Sequence, residues 1–417
     1  MDYPRTLSRH LLDCSATFGV LLVTGARQVG KTTLLRTLSG PERTYVTLDD
    51  PLVLALAKSD PALFVQRYAP PVLIDEVQYA PELLPHIKMR VDAAGASGDA
   101  KDEAKGLYWL TGSQPFHLMR GVSESLAGRV AVVHMLGLSR QEALGLGDTA
   151  FPPFLPTDQV LAARRRYAQP PLEVDALFAQ IWRGSFPALV RNPRMGRDIF
   201  FSSYLQTYVQ RDVRALARVG DELAFMRFVG AAAARTGQLL NMADLARDAD
   251  ISPNTAKQWL SVLEASGLVF LLQPWHSNTT KRLIKTPKLY FLDTGFCAYL
   301  TRWSSAQALE AGAMAGAFFE TWVVVEILKS YWHTGRNPQC YYYRSKDGYE
   351  IDLLIEQDGF LHPIECKKSA SPSRQALQGF KSLGQPGVPM AQGAVLCLVP
   401  DALPLSPTVQ ALNVAYL

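Results

Sequence analysis

Cysteine is scarce: Cys14, Cys297, Cys340, Cys366 and Cys397 are the five in 417 residues, far apart and without a CxxC pair. That excludes a disulfide-stapled scaffold and a zinc ribbon, and predicts the reduced thiols of a cytoplasmic protein. Long apolar runs are missing too. The best candidate for a membrane span, residues 312–328, carries Glu320 and Glu326, and charge at a bilayer centre is costly, so no transmembrane helix is expected. The N-terminus has Asp2 where a signal peptide would be basic and no apolar stretch before Leu11, which argues against secretion. No repeat or low-complexity block occurs, and neither sign of charge dominates. The net charge of +4 is compatible with nucleic acid without demonstrating it. What the chain does have is 48% apolar residues, enough for roughly two to four domains with cores of their own.

Pattern divides it into four units. Up to about residue 140, short apolar runs (20–24, 44–48, 72–74, 107–110, 130–136) alternate with helical spacing, as in a parallel sheet flanked by helices, with residues 92–105 as a surface loop. Prolines 152, 153, 156, 170 and 171 then break the chain, and helical spacing dominates to about Arg235. The expected fold class is multidomain α/β: an α/β core over 1–140, a linker and helical lid over 141–219, a small helical module over 220–300, and a second α/β unit over 301–417. The last reads as helix, three strands, helix, strand.

The strongest signal follows the first apolar run. Gly25, Ala26, Arg27, Gln28, Val29, Gly30, Lys31 and Thr32 form a G-x-x-x-x-G-K-T octet between a strand and a helical run that begins at Thr33, the context this motif requires. Glycines let successive N–H groups wrap a β-phosphate, Lys31 reaches the β and γ oxygens, and Thr32 ligates Mg²⁺, so ATP or GTP is expected. Residues 72–76 end a strand in two carboxylates: Asp75 fits a magnesium partner and Glu76 the base that polarises the attacking water. Ser113, after the fourth strand, fits a γ-phosphate sensor. Arg129, just before the fifth, fits an arginine finger offered to a neighbouring copy, or an ordinary salt-bridged arginine. These residues resemble the AAA-type branch of P-loop ATPases, which implies adenine specificity. Gly184-Ser-Phe-Pro187 is similar to the lid turn that some of these ATPases place beside the adenine.

In the third unit Asn241 and Ser252 are good helix caps, and Pro253 suits a first helical position. The second helix places Ala256, Trp259, Leu260 and Leu263 on one face and Asn254, Lys257, Gln258 and Ser261 on the other. With the basic residues Lys281, Arg282, Lys285 and Lys288 in a following hairpin, this resembles a winged helix-turn-helix, which implies DNA as partner. The alternative is a module that packs only on the ATPase.

In the fourth unit Glu320 lies in a helical stretch, followed by Glu350-Ile-Asp352 and by Glu365-Cys-Lys367 on strands that Asp358-Gly359 can join. Glu320, Asp352 and Glu365 are candidate metal ligands, with Lys367 placed to activate a nucleophile. That order resembles the PD-(D/E)XK, or restriction-endonuclease-like, superfamily, whose members cleave or merely bind. The whole order of units resembles a large prokaryotic group of AAA-family ATP-binding proteins with a C-terminal domain of unknown function. The resemblance implies an ATPase whose nucleotide state gates DNA engagement, or a regulatory nucleotide switch with a protein partner and a C-terminal domain that does not cleave. Assembly into a homo-oligomer would supply Arg129 in trans.

Overall fold

The computed structural model describes residues 3–96, 104–112, 122, 124–167, 169–208, 222–276, 286–383 and 389–417. Its first unit is a five-stranded, all-parallel sheet of β1 (Val20–Thr24), β2 (Thr44–Thr47), β3 (Val72–Asp75), β4 (Tyr108–Gly112) and β5 (Val130–His134), in the spatial order β2-β3-β4-β1-β5. The central strands β1, β3 and β4 are buried along their whole length, which is why they read as continuous rather than alternating apolar runs. One face packs on Phe64, Leu83 and Ile87; the other joins a core shared with the rest of the chain. With all strands parallel, Thr24, Thr47, Asp75, Gly112 and His134 end at one edge of the sheet, where α/β folds bind ligands.

Helices dominate residues 158–208. The helix Val174–Arg183 buries Leu177, Phe178 and Ile181, and the later helices Thr294–Leu300 and Ala306–Ala311 pack against it, so this layer extends past the break at 300 that sequence pattern suggests. Between them come the helices Glu222–Ala233, Met242–Ala249 and Pro253–Ala265, with an antiparallel sheet of β6 (Gln238–Leu239), β7 (Val269–Leu272) and β8 (Lys288–Phe291) in the order β6-β8-β7. Asn241 and Ser252 cap the second and third of these helices as their side-chain chemistry dictates.

The last unit sets the helix Ala315–Trp332 beside a six-stranded mixed sheet of β9 (Gln339–Arg344), β10 (Glu350–Gln357), β11 (Phe360–Cys366), β12 (Gly393–Cys397), β13 (Leu403–Ser406) and β14 (Val409–Asn413). The strands β13 and β14 correct the sequence pattern, which ends at one strand after the last helix. The edge strand β13 contains Pro404, which weakens the strand signal in its sequence pattern. Among the described residues no helix is long and apolar enough to cross a membrane.

Candidate functional site

The loop from Gly25 to Lys31 leaves β1 at the ligand edge of the sheet. Gly25 has φ of +143°, and a Cβ there would stand 2.1 Å from the Met135 carbonyl oxygen; Gly30 has φ of +99° and caps the helix Lys31–Leu38. Gly25 is required for space and for conformation, Gly30 for its left-handed conformation alone. The Lys31 ammonium donates to the Gly25 and Ala26 carbonyls, 2.9 Å each, folding its stem back over the loop. Arg27 reaches Tyr79, Gln28 is exposed, Val29 is buried beneath the loop, and Thr33 faces outward on the first turn of the helix.

Four groups converge at the tip of β3. The Thr32 hydroxyl donates to Asp75 Oδ1 at 2.6 Å, the Thr111 hydroxyl bonds the same oxygen, and the Tyr45 hydroxyl donates to Asp75 Oδ2 at 3.1 Å. Thr111 Oγ1 in turn accepts from the Glu76 backbone N–H at 3.0 Å. Glu76 adopts the left-handed conformation, φ +59°, and its carboxylate accepts from the Gln78 amide. The chain through Thr32, Asp75 and Thr111 therefore ties the loop to two neighbouring strand ends. Burial, followed by the charge of Asp75, raises the pKa of Tyr45. At the end of β5, His134 Nδ1 lies 2.8 Å from the Thr24 hydroxyl; burial and then the Lys31 ammonium hold its pKa below the usual histidine value.

Ser113 lies outside the described residues. Arg129 precedes β5, at the opposite edge of the sheet from the loop, and its guanidinium is paired with the Asp92 carboxylate. It does not reach its own chain's loop. The Gly184–Pro187 turn does: Pro187 Cγ stands 4.0 Å from where a Cβ at Gly30 would be, and Ser185 accepts from the Leu138 N–H at 2.8 Å through its carbonyl. Asp293 fixes that turn by accepting from both the backbone N–H and the hydroxyl of Ser185, at 2.7 and 2.8 Å. The helical module abuts the loop as well. At Gly267, φ +68°, an added Cβ would come 3.6 Å from the Ala26 nitrogen and from His134 Nε2.

Several participants carry no sequence signal that could single them out. Arg5, 6% exposed, donates to Val29 O at 3.1 Å and Leu136 O at 2.8 Å while paired with the fully buried Glu142 at 3.2 Å, bracing the loop from behind. Tyr45, Thr111 and His134 are ordinary strand residues until the sheet order brings them to one edge.

The C-terminal carboxylates form a second cluster. Glu320 comes from the helix Ala315–Trp332, Glu350 and Asp352 from β10, and Glu365 from β11, which pairs antiparallel with β10. The register of β10 against β9 shifts between Ile351 and Leu354, a bulge that re-aims Asp352. Asp352 Oδ2 accepts from the Cys366 N–H at 2.9 Å, and the Lys367 ammonium lies 2.6 Å from Glu365 Oε1. Lys288, expected on a basic wing against phosphate, is instead 3% exposed: its ammonium is 3.0 Å from Glu320 Oε1, paired with Glu350, and 3.6 Å from Asp352 Oδ1. The correction has a simple cause, because β8 pairs with β7 and faces the C-terminal unit rather than solvent. Lys281, Arg282 and Lys285 lie outside the described residues.

The Tyr290 hydroxyl also donates to Glu320 Oε1, at 2.6 Å. Burial, then the Asp352 charge, pushes the Glu320 carboxyl up to about 7 against the opposing pull of Lys288, and the same two causes push Glu365 up to about 8. Burial alone would depress the Lys288 ammonium; Glu320, Asp352 and Glu350 outweigh it and raise its pKa. As a metal site this cluster does not fit in the observed arrangement, since the ammonium takes up the carboxylates. Among the described residues no three acidic, histidine or cysteine side chains stand as a ligand set.

Residues 17–144 match the family model of an AAA domain, residues 315–417 that of a domain of unknown function (DUF4143), and residues 174–307 another domain of unknown function (DUF8612). The chain is 30% identical over 359 residues to uncharacterized proteins of Mycobacterium tuberculosis and Mycobacterium bovis, a span covering 85% of this chain and 71% of each relative. Among solved structures, a Walker-type ATPase of Pyrococcus abyssi is similar at 16% identity and a TM-score of 0.41, over 71% of this chain and 98% of that one.

Proposed function

The chain belongs to the family of AAA-domain proteins that carry the C-terminal DUF4143 domain, and from that premise we propose that it binds and hydrolyses ATP, using the nucleotide state to gate its engagement of DNA. The observation that carries the reading is the hydrogen-bonded chain from Thr32 through Asp75 to Thr111 beside a glycine cradle and a lysine already turned over it. The cradle and this donor set fit Mg²⁺·ATP. Gly25 to Gly30 would wrap the phosphates with backbone N–H groups, Lys31 would hold the β and γ oxygens, and Thr32 with Asp75 would hold the metal ion, which supplies charge neutralisation when bound. Glu76, positioned by its backbone bond to Thr111, takes the proton of the attacking water. Ser113 senses the γ-phosphate, and Arg129 acts on a neighbouring copy in a homo-oligomer, since it cannot reach its own site.

In this reading residues 220–300 are a winged helix-turn-helix and residues 301–417 a PD-(D/E)XK-like domain, joined to the core by the lid over 141–219. The recognition face is available: Asn254, Lys257, Gln258 and Ser261 are exposed while Ala256, Trp259, Leu260 and Leu263 are buried. Because Gly267 closes that helix against the loop at Ala26, filling the cradle with phosphate moves the helix relative to the core. Glu76→Gln is expected to retain ATP while hydrolysis falls about a hundredfold. Held in its ATP form, the variant should bind a labelled DNA duplex with an affinity shifted about tenfold from the nucleotide-free protein, as followed by fluorescence anisotropy. Equal affinities with and without ATP would sink the gating.

The C-terminal domain in this reading recognises rather than cuts, because Lys288 already satisfies Glu320, Glu350 and Asp352. Labelled single- and double-stranded DNA should remain intact with Mg²⁺ or Mn²⁺, with or without ATP. Cleavage by the wild type that disappears in Asp352→Ala would instead give Asp352, Glu365 and Lys367 catalytic roles.

A further inference from the structure

We propose that Lys288 is a resident cation closing a divalent-cation site: its ammonium and a metal ion exclude one another among Glu320, Glu350, Asp352 and Glu365. The inference is independent of the nucleotide reading. Glu320 from the helix and Glu350 and Asp352 from β10 converge on Lys288 where the β10 bulge turns Asp352 inward, and Glu365 of β11 lies beside Asp352. Such a set of hard oxygen donors suits Mg²⁺, Mn²⁺ or Ca²⁺, and when buried it demands a positive charge. In this arrangement the charge is an ammonium from a different unit, 3.0 Å from Glu320, in contact with Glu350 and 3.6 Å from Asp352. A compact, three-donor ammonium can face three carboxylates at once. A divalent ion needs the same oxygens at about 2.0–2.6 Å, and no room or favourable charge remains for both.

Two observations support a role for the set beyond an internal salt bridge. Glu365, 6% exposed, leaves its Oε2 buried without a hydrogen-bond partner, a donor atom held ready beside the pairs already made. An open groove of about 480 Å³ also reaches Glu350, Glu365 and Lys367, and Lys288 does not line it. The lysine is delivered by backbone structure: Lys288 opens β8, and the backbone N–H groups of Trp275 and Tyr342 donate across to Tyr342 O and Gln273 O at 2.6 and 3.0 Å, joining the chain after β7 to β9. Separating those two strands withdraws the ammonium and exposes the cluster, so the site is open to metal only when the central module and the C-terminal sheet part.

The test is Mn²⁺ binding to the full chain without nucleotide, followed by electron paramagnetic resonance and by the Mn²⁺-dependent shift in melting temperature. Lys288→Met should acquire one Mn²⁺ site at least about tenfold tighter than anything in the wild type, and melt higher as Mn²⁺ is added. Adding Asp352→Ala should abolish the gain. If the single variant does not fold, Lys288→Met with Glu350→Gln removes one charge of each sign and should show the same gain. Wild type and Asp352→Ala should bind Mn²⁺ identically. A wild type that binds Mn²⁺ more tightly than Asp352→Ala, or a folded Lys288→Met that binds none, overturns the proposal.

Discussion

Lys31→Ala should lower steady-state ATP hydrolysis by about 10³-fold, the loss expected when a preorganised cation is removed from a site where phosphate charge develops. The side chain is 6% exposed, and its ammonium is anchored to the Gly25 and Ala26 carbonyls, so truncation removes both the charge and the group that folds over the loop. Folding should survive, because the two glycine conformations and the Thr32–Asp75 bond that shape the loop do not depend on the amine. Melting temperature checks that point; a phosphate-release assay reads the activity. Turnover that persists in a folded Lys31→Ala protein means that the loop is not the hydrolytic site. Loss of turnover with unchanged DNA affinity would separate the ATPase from the gating.

Much of this site is legible in sequence because its pieces are local. The Gly25–Thr32 octet, the strand ending at Asp75 and the apolar face of Pro253–Ala265 are each set by spacing within one element, and the structure buries Ala256, Trp259, Leu260 and Leu263 as that spacing dictates. What escapes is long-range. Lys288 stands among basic residues and reads as surface charge; only the pairing of β8 with β7 and the approach of β10 bring it to Glu320 and Asp352. Arg129 looks poised beside a catalytic strand, yet it precedes that strand at the wrong edge for its own site. Conversely, His134 gains its place beside Lys31 from strand order alone, since β5 lies next to β1 although they are far apart in the chain. Sequence pattern states which face of an element is apolar; it does not state which distant charge will be buried against it.

The pair Arg5 and Glu142 shows what such a burial is worth. Glu142 is fully buried, caps the turn Arg140–Ala143 through the reciprocal Ser139 bonds, and accepts from Arg5 at 3.2 Å and from the Thr6 N–H at 2.9 Å, with His333 Nδ1 at 3.3 Å. Burial alone would raise its pKa, but His333 and Arg5 outweigh that and drive it well below the ordinary 4.5. A carboxylate depressed in this way stabilises the fold above its unfolded pKa, and that contribution fades as pH falls through the folded value. Glu142→Gln keeps the shape and removes the charge, leaving the Arg5 guanidinium buried without its counterion at a cost of about 3–5 kcal/mol. The urea midpoint should fall accordingly and the acid branch of the stability curve should flatten, because the titrating group is gone. Arg5 also holds Val29 and Leu136 behind the loop, so ATP affinity should weaken in the folded variant. A Glu142→Gln protein within about 0.5 kcal/mol of wild type would show that Arg5 finds other partners and that the brace behind the loop is not electrostatic.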